Sequence, residues 1–270
     1  HLLLPDVATR RDLSDEGTTR FVADAVGSVL VLELLYALTE ADSIATGSSA
    51  WSPWKAELVA ELVDRTAYVL GGGEMHELAW TPFPSADVLA LMGSGKEAIK
   101  AGDDRITVVS RDRPGLFSRI AGVLALNGLD VLEASAHTAD DIAIEEFRVV
   151  SAFGSEIAWS KVERDLDRAL LGRMALEPRL AERARSYHRR RSTGRRLEPH
   201  VRVLEHEASD GATVVEVVGP DSVGLLYRLT RALADLDLDI LRAKIATMGS
   251  DVVDSFYVRD RSGAPITDEA

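Results

Sequence analysis

The sequence predicts an α+β chain in which a helical first part is followed by two copies of one unit of strands and helices. The main observation is an internal repeat, in which Asp112 corresponds to Asp221 and the separation of 109 residues is kept as far as Phe147 and Phe256. A repeat that keeps its register across a turn, a helix and two strand patterns indicates one supersecondary unit built twice. Before the repeat, apolar residues recur at helical spacing instead.

The helical first part is predicted from apolar stripes and from the residues that bound them. Residues 14–16 are typical of a helix start, and the apolar positions within 21–35 then form one wide stripe. A second helix is expected after 48–50 and should end at the three glycines 71–73. Residues 74–104 are weakly patterned and are interpreted as a connector with at most one short helix.

Each copy of the repeat predicts short strands around an amphipathic helix. In the first copy the order is strand, turn, helix, two strands joined by a hairpin, and a second helix, at 106–110, 112–115, 116–126, 131–138, 142–150 and 159–174. A closing strand is expected at 200–206. The second copy gives a strand, a helix and two strands before the chain ends. This order is the ferredoxin-like βαββαβ arrangement, with the second sheet expected to be incomplete.

Composition excludes several classes of function. The net charge of −13 argues against nucleic-acid binding, which needs Lys and Arg to displace counterions. The chain has no cysteine, which excludes disulfides and thiolate catalysis and fits a cytoplasmic protein. No run approaches the ~18 apolar residues of a membrane span. The arginine-rich segment 178–198 is interpreted as a solvated helix end and linker, with a docking site for an acidic partner as the alternative.

The strand-to-helix turn of each copy is the candidate ligand site. Asp112 and Asp221 stand where a side chain can cap the helix, and the N-terminal amides can hold a carboxylate. Gly115 and Gly224 allow close approach because they have no Cβ. The second copy has Val223 where the first has a proline, which predicts a more relaxed turn there.

Two further carboxylates complete the candidate site. Asp130 and Asp239 begin the strand after the helix and could bind an ammonium group, so that each copy could hold a free amino acid. The structural alternative is that the aspartates are helix caps or solvated side chains. The candidate effector-binding residues are Asp112, Pro114, Gly115, Leu116 and Asp130 in the first copy and Asp221, Gly224, Leu225 and Asp239 in the second.

The segment Asp-Arg-Pro-Gly-Leu-Phe at 112–117, the segment 127–138 and their second copies resemble tandem ACT domains, which bind amino acids where their sheets pair. With the helical segments at 1–4, 10–12, 38–46 and 51–55, the chain resembles the C-terminal part of the bifunctional uridylyltransferase/uridylyl-removing enzymes that modify the nitrogen regulatory protein PII. The resemblance implies the end of an HD metallohydrolase domain at 1–73, a connector at 74–104, and ACT domains at 105–207 and 208–270, the second truncated.

The resemblance implies a metal role for two residues of the helical part. Asp42 matches the last carboxylate of an HD metal set, and His1 matches a histidine that lines the same cleft. Carboxylate and imidazole suit Mg²⁺ or Mn²⁺, held mainly by residues upstream of this chain. A helix-end cap is the alternative for Asp42. The family's paired metal ligands and its nucleotidyltransferase domain are missing from the sequence, so the chain is expected to be an inactive fragment.

The implied function is regulation of PII uridylylation by glutamine, with UTP and UMP as the nucleotides of the parent enzyme. One alternative is a non-catalytic ACT protein that binds an amino acid and self-associates. Another is an HD–ACT alarmone hydrolase, which is disfavoured because Ser-Ile-Ala-Thr at 43–46 follows Asp42 instead of an Arg-Leu-His-Asn-like run.

Overall fold

A computed structural model describes the chain except for residues 1, 12, 14, 47–50, 52, 75–83, 94–96, 140, 187–197, 205–210, 249–250 and 267–270. The helices are α1 (Leu3–Arg10), α2 (Glu16–Val26), α3 (Val29–Thr46), α4 (Pro53–Leu70), α5 (Ala86–Gly93), α6 (Leu116–Leu126), α7 (Trp159–Leu170), α8 (Leu176–Ser186) and α9 (Leu225–Asp235). The strands are β1 (Ala98–Gly102), β2 (Arg105–Arg111), β3 (Leu129–Ala139), β4 (Ile142–Ser151), β5 (His200–Leu204), β6 (Thr213–Pro220), β7 (Leu238–Met248) and β8 (Asp251–Asp260).

Helices α1 to α4 pack around a small core of their own that includes the fully buried Leu4, Leu32 and Leu62. Asp15 caps α2 by accepting a hydrogen bond from the Gly17 amide at 2.9 Å, as the sequence predicts for a helix start. The single stripe expected over 21–35 is wrong, because Gly27 has a φ of 70° and ends α2. Helix α3 then leaves at a bend of 97°.

Helix α3 is apolar and largely exposed. Five of its large apolar side chains are more than two-fifths exposed: Leu30, Val31, Leu34, Leu38 and Ile44. No single described helix is long and apolar enough to cross a membrane, although the bent pair α2 and α3 together meets that criterion of length and composition.

The repeat predicted from the sequence is confirmed by the strands. Each of β3 and β4 has its counterpart in β7 and β8 shifted by 109 residues. All of them belong to one eight-stranded sheet with the order β1-β2-β4-β3-β7-β8-β6-β5. At its centre β3 pairs antiparallel with β7, and Ala134 lies opposite its own repeat counterpart Ala243. A pseudo-two-fold axis therefore passes between these alanines, and the two units pair within one chain.

The outer strands of both units differ from the prediction. The segment 200–206 was expected to close the first sheet, but β5 pairs with β6 and forms the edge of the second unit. The equivalent edge of the first unit is β1, in the region interpreted as a connector, which pairs with β2. The second sheet is therefore complete, because each unit takes its edge strand from the chain that precedes it. The predicted β3–β4 hairpin is confirmed.

The two faces of the sheet carry different layers. On one face α6, α9 and the amphipathic α7 cover the main core, whose largest fully buried side chains include Phe147 and its counterpart Phe256. On the opposite face lies the helical first part, where Arg148 of β4 donates a hydrogen bond of 3.2 Å to Glu57 of α4. Side chains alternate between faces along a strand, so neighbouring residues of β4 contact the two layers.

Candidate effector site at the seam between the two units

The two strand-to-helix turns have the same geometry. Gly115 and Gly224 occupy the N-cap positions of α6 and α9 with φ values of 76° and 72°, in the left-handed region that favours glycine. The N-cap residue of each helix is therefore the glycine, and not Asp112 or Asp221 as the sequence suggested. Val223 in place of Pro114 leaves the turn unchanged, contrary to the expected relaxation. The Leu116 and Leu225 amides donate to the turn carbonyls of Arg113 and Ser222, and the other amides of each first turn have no partner within the helix.

The predicted residues of one unit lie next to those of the other unit at the seam. The seam is the line along which β3 and β7 pair. Asp130 lines a cavity, the first cleft, together with Asp221, Gly224 and Leu225 of the other unit. Asp239 lines a second cavity, the second cleft, together with the loop that contains Asp112, Pro114, Gly115 and Leu116. The sequence suggested that each copy supplies both its loop and its carboxylate, and this pairing is wrong. It could not be found from one copy alone because it is created by the pseudo-two-fold axis.

The two clefts differ in size and in their cationic groups. The first has a volume of about 100 Å³ and the second about 560 Å³, and the second lies within the range of small-molecule sites. In the first cleft the Arg183 guanidinium lies over the Phe153 ring at 6.0 Å from its centroid. Arg259 and Arg261 line the second. Arg183 belongs to the segment interpreted as a solvated helix end and linker; it lies in the last turn of α8 and is half-buried where it lines the first cleft.

Acidic groups face one another across the second cleft. Burial and the charge of Asp112 raise the pKa of Asp239, although Asp112 belongs to the other unit. A cation placed between these two carboxylates would relieve their repulsion. This electrostatic arrangement fits the ammonium group of an amino acid better than an anion.

Two carboxyl groups that the candidate set lacks lie deeper in the clefts. Glu145 of β4 lines the second cleft and Asp254 of β8 lines the first, and the two are repeat counterparts. Burial, with the charge of Asp112 as a second cause, raises the pKa of Glu145 well above its ordinary value. Burial raises the pKa of Asp254 to about 8. The sequence contained a signal for both, since an acid stands in the inward register of a strand twice at the same repeat position.

Of the two predicted metal residues, only Asp42 is described by the structure, and it lies outside any group of possible metal ligands among the described residues. Asp42 lies on the exposed side of α3, and its backbone carbonyl accepts a hydrogen bond of 2.8 Å from the Thr46 hydroxyl. His1 lies outside the described residues. Within the described ranges no three or more His, Asp or Glu side chains are grouped closely enough to hold a metal ion. The residues described here do not fit Mg²⁺ or Mn²⁺ by themselves, and no step through a metal is derived from them.

Both units match known domain families. Residues 105–158 match the family described as ACT domain, and residues 208–270 match the family described as ACR family N-terminal ACT domain. The chain contains two ACT domains. No solved structure matches the chain significantly.

The chain is also similar over its whole length to enzymes named bifunctional uridylyltransferase/uridylyl-removing enzyme. It is 35% identical to that of Streptomyces coelicolor over 100% of this chain and 38% of the relative. It is 37% identical to that of Mycobacterium tuberculosis over 96% of this chain, and 32% identical to that of Gluconobacter oxydans over 99%, in both cases 34% of the relative. The predicted resemblance is thereby confirmed. The chain spans little more than a third of the length of these relatives.

Proposed function

We propose that this chain is the regulatory part of a bifunctional enzyme that adds UMP to the protein PII and removes it, and that its ACT pair binds glutamine. The observation that carries the proposal is the composition of each cleft. The N-terminus of a helix in one unit stands opposite a carboxylate of the other unit, which together suit the α-carboxylate and α-ammonium of an amino acid. The similarity to enzymes named for uridylyl transfer and uridylyl removal supports the nucleotide chemistry. The resemblance to the enzymes that modify PII is the reason for proposing PII as the protein substrate.

The helical part has a different role in this proposal. Residues 1–73 belong to an HD-type hydrolase that removes UMP with a divalent metal, and the exposed apolar face of α3 packs against other parts of that enzyme. Burying such a face stabilises a domain by about 25 cal/mol per Å² of apolar surface. In this proposal the chain by itself is inactive and acts only as part of the complete enzyme. A cytoplasmic location remains a prediction.

Glutamine can switch the enzyme only if it binds one arrangement of the domains better than another. The sheet connects the ligand site to the hydrolase helices, because the clefts lie on one of its faces and the helices lie on the other. Within β4, Glu145 contacts the second cleft, and Arg148 reaches Glu57 of α4. A shift of β4 on binding would therefore change the contact between Arg148 and Glu57 of α4.

Isothermal titration of the complete enzyme with L-glutamine tests the proposal. Asp239→Asn should weaken binding because it removes the charge that faces the ammonium group, by about tenfold if one ion pair is lost. Asp235→Asn is the matched control, an exposed carboxylate at the end of α9 that lies outside the second cleft. Absence of binding by the wild type at millimolar glutamine would refute the proposal.

The second candidate is a non-catalytic ACT protein that binds an amino acid and has no hydrolase activity. The exposed position of Asp42, away from any described group of ligands, favours it. Measuring release of UMP from uridylylated PII by the complete protein, with and without added Mg²⁺ or Mn²⁺, separates the two candidates. Metal-dependent release that Asp42→Ala abolishes would exclude the non-catalytic alternative.

A further inference from the structure

The most unusual feature of the clefts is a pair of buried carboxyl groups, each with one oxygen that has no hydrogen-bond partner among the described residues. Glu145 is 5% exposed and Asp254 is 1% exposed. Among the described residues, neither Oε2 of Glu145 nor Oδ1 of Asp254 has a hydrogen-bond partner. Buried polar groups in native proteins are almost always satisfied, so each of these two atoms requires an explanation.

The sheet cannot supply the missing donors. Glu145 lies between Val108 of β2 and Ala136 of β3, and their side chains have no polar atoms. Asp254 has Val217 and Ile245 as its cross-strand neighbours, which are the repeat counterparts of that pair. The open direction for each carboxyl group is therefore the cleft that it lines.

A buried acid occurs at the same position of both units, so chance is a poor explanation for these two residues. Burying a carboxyl group without a partner destabilises a fold, and one such residue could be tolerated as a neutral acid. Here the same position carries an acid in both units, although the turn above it differs between Arg113-Pro114 and Ser222-Val223. An acid at the floor of both clefts is consistent with a shared ligand that brings a hydrogen-bond donor.

We propose that Glu145 and Asp254 are specificity-determining residues that accept a hydrogen bond from the end of the ligand's side chain, so that the clefts select a neutral carboxamide over a carboxylate. This inference depends on the proposed function, in which the turn amides hold the α-carboxylate and Asp130 or Asp239 holds the α-ammonium. The ligand's side chain is then the part left to reach the floor.

The chemistry of the two side-chain types decides the selection. A carboxamide carries two N–H donors and one acceptor, which match a carboxyl group whether it is ionised or protonated. A second carboxylate can accept the O–H of a protonated floor acid but has no donor for the other oxygen of that acid, and in the second cleft it would add a negative charge beside Asp112 and Asp239. Sites with buried hydrogen-bonding groups reject analogues that leave those groups unpaired.

The test is titration of the complete enzyme with L-glutamine and with L-glutamate at one fixed pH. We expect the wild type to prefer glutamine by at least about tenfold. In the double variant Glu145→Gln and Asp254→Asn the floor gains donors, so glutamate should bind more tightly and the preference should fall by about tenfold or more. The single variants assign the effect to one cleft.

A second pair of variants removes hydrogen bonding from the floor. Asp254→Leu and Glu145→Met keep a similar side-chain length without the carboxyl oxygens, and glutamine should then bind about tenfold more weakly. Glu146→Gln is the matched control, because Glu146 is the next residue of β4, faces the opposite side and pairs with Arg105. Circular dichroism confirms that each variant is folded.

The outcomes separate this inference from the proposed function. If the wild type binds glutamine and the floor variants keep the same preference for glutamine over glutamate, the floor carboxyl groups do not select the ligand, and the proposed function stands. If the wild type binds neither amino acid, the proposed function fails and the selection mechanism fails with it.

Discussion

Replacing Asp254 by asparagine should change how the stability of the protein depends on pH. Burial raises the pKa of this carboxyl group from 3.8 to about 8 in the folded state. Between these values the folded protein holds a proton that the unfolded chain has lost, so the free energy of unfolding decreases as the pH rises. Asparagine cannot ionise, and Asp254→Asn should therefore become progressively more stable than the wild type from about pH 4 to pH 8.

The size of the stability difference between variant and wild type follows from the same pKa shift of Asp254. Each pH unit in this window corresponds to about 1.4 kcal/mol, so the advantage of the variant should grow by roughly 3 kcal/mol between pH 5 and pH 7. Any constant difference between a buried amide and a buried acid cancels in this comparison. Urea unfolding followed by circular dichroism at pH 5, 6, 7 and 8 measures the two curves.

A carboxylate with the opposite shift provides the control. Hydrogen bonds from Ser262 and Ala264 lower the pKa of Asp260, so its contribution to stability is present above its unfolded pKa and is lost on acidification. Relative to the wild type, Asp260→Asn should therefore lose stability as the pH rises from acid to neutral, whereas Asp254→Asn should gain it. Parallel pH curves for wild type and Asp254→Asn would refute the reasoning that burial keeps Asp254 protonated.

Three further predictions concern the turns at the clefts, the core, and the contact between the sheet and α4. Gly115→Ala and Gly224→Ala should each lower the free energy of unfolding by about 1–2 kcal/mol, because both residues have positive φ, and glutamine titration should show weaker binding by the folded variants. Phe256→Ala removes a fully buried ring and should cost about 3–5 kcal/mol in urea unfolding, whereas a cost below about 1 kcal/mol would contradict the core described here. Glu57→Gln removes the exposed partner of Arg148 and should lower stability by less than about 1 kcal/mol in the same assay. A double-mutant cycle with Arg148→Gln that gives a larger coupling would contradict this estimate.

Local patterns in the sequence were sufficient for the repeat and its elements, but not for the assembly of the units. The hairpin, the glycine turns and the helix that starts at Leu116 follow from turn chemistry and hydrophobic spacing over a few residues. The edge strands β1 and β5 could not be assigned this way, since their pairing depends on which sheet edge is free in space. The break at Gly27 was missed because apolar residues continue on both sides of it.

For the candidate site too, the sequence was informative where neighbouring residues decide the structure and uninformative where distant residues come together. Each turn was recognised from its own residues, whereas the partner carboxylate of each turn comes from the other unit. Arg183 was unrecognisable in a run of arginines because only its position above Phe153 distinguishes it. The floor acids were visible as Glu145 and Asp254 at one repeat position, but their burial depends on the helices packed above them.

The construction of each cleft from both units has an energetic consequence. The units are joined at the seam by three residue pairs between β3 and β7, among them Glu133 and Lys244, whose side chains form an ion pair of 2.7 Å. A ligand that contacts both units can bind only when they are paired, so binding must stabilise the pairing by the same free energy. Under the proposed function, glutamine would thus act on the geometry of the seam, and helices α1 to α4 on the other face of the sheet would respond to that geometry.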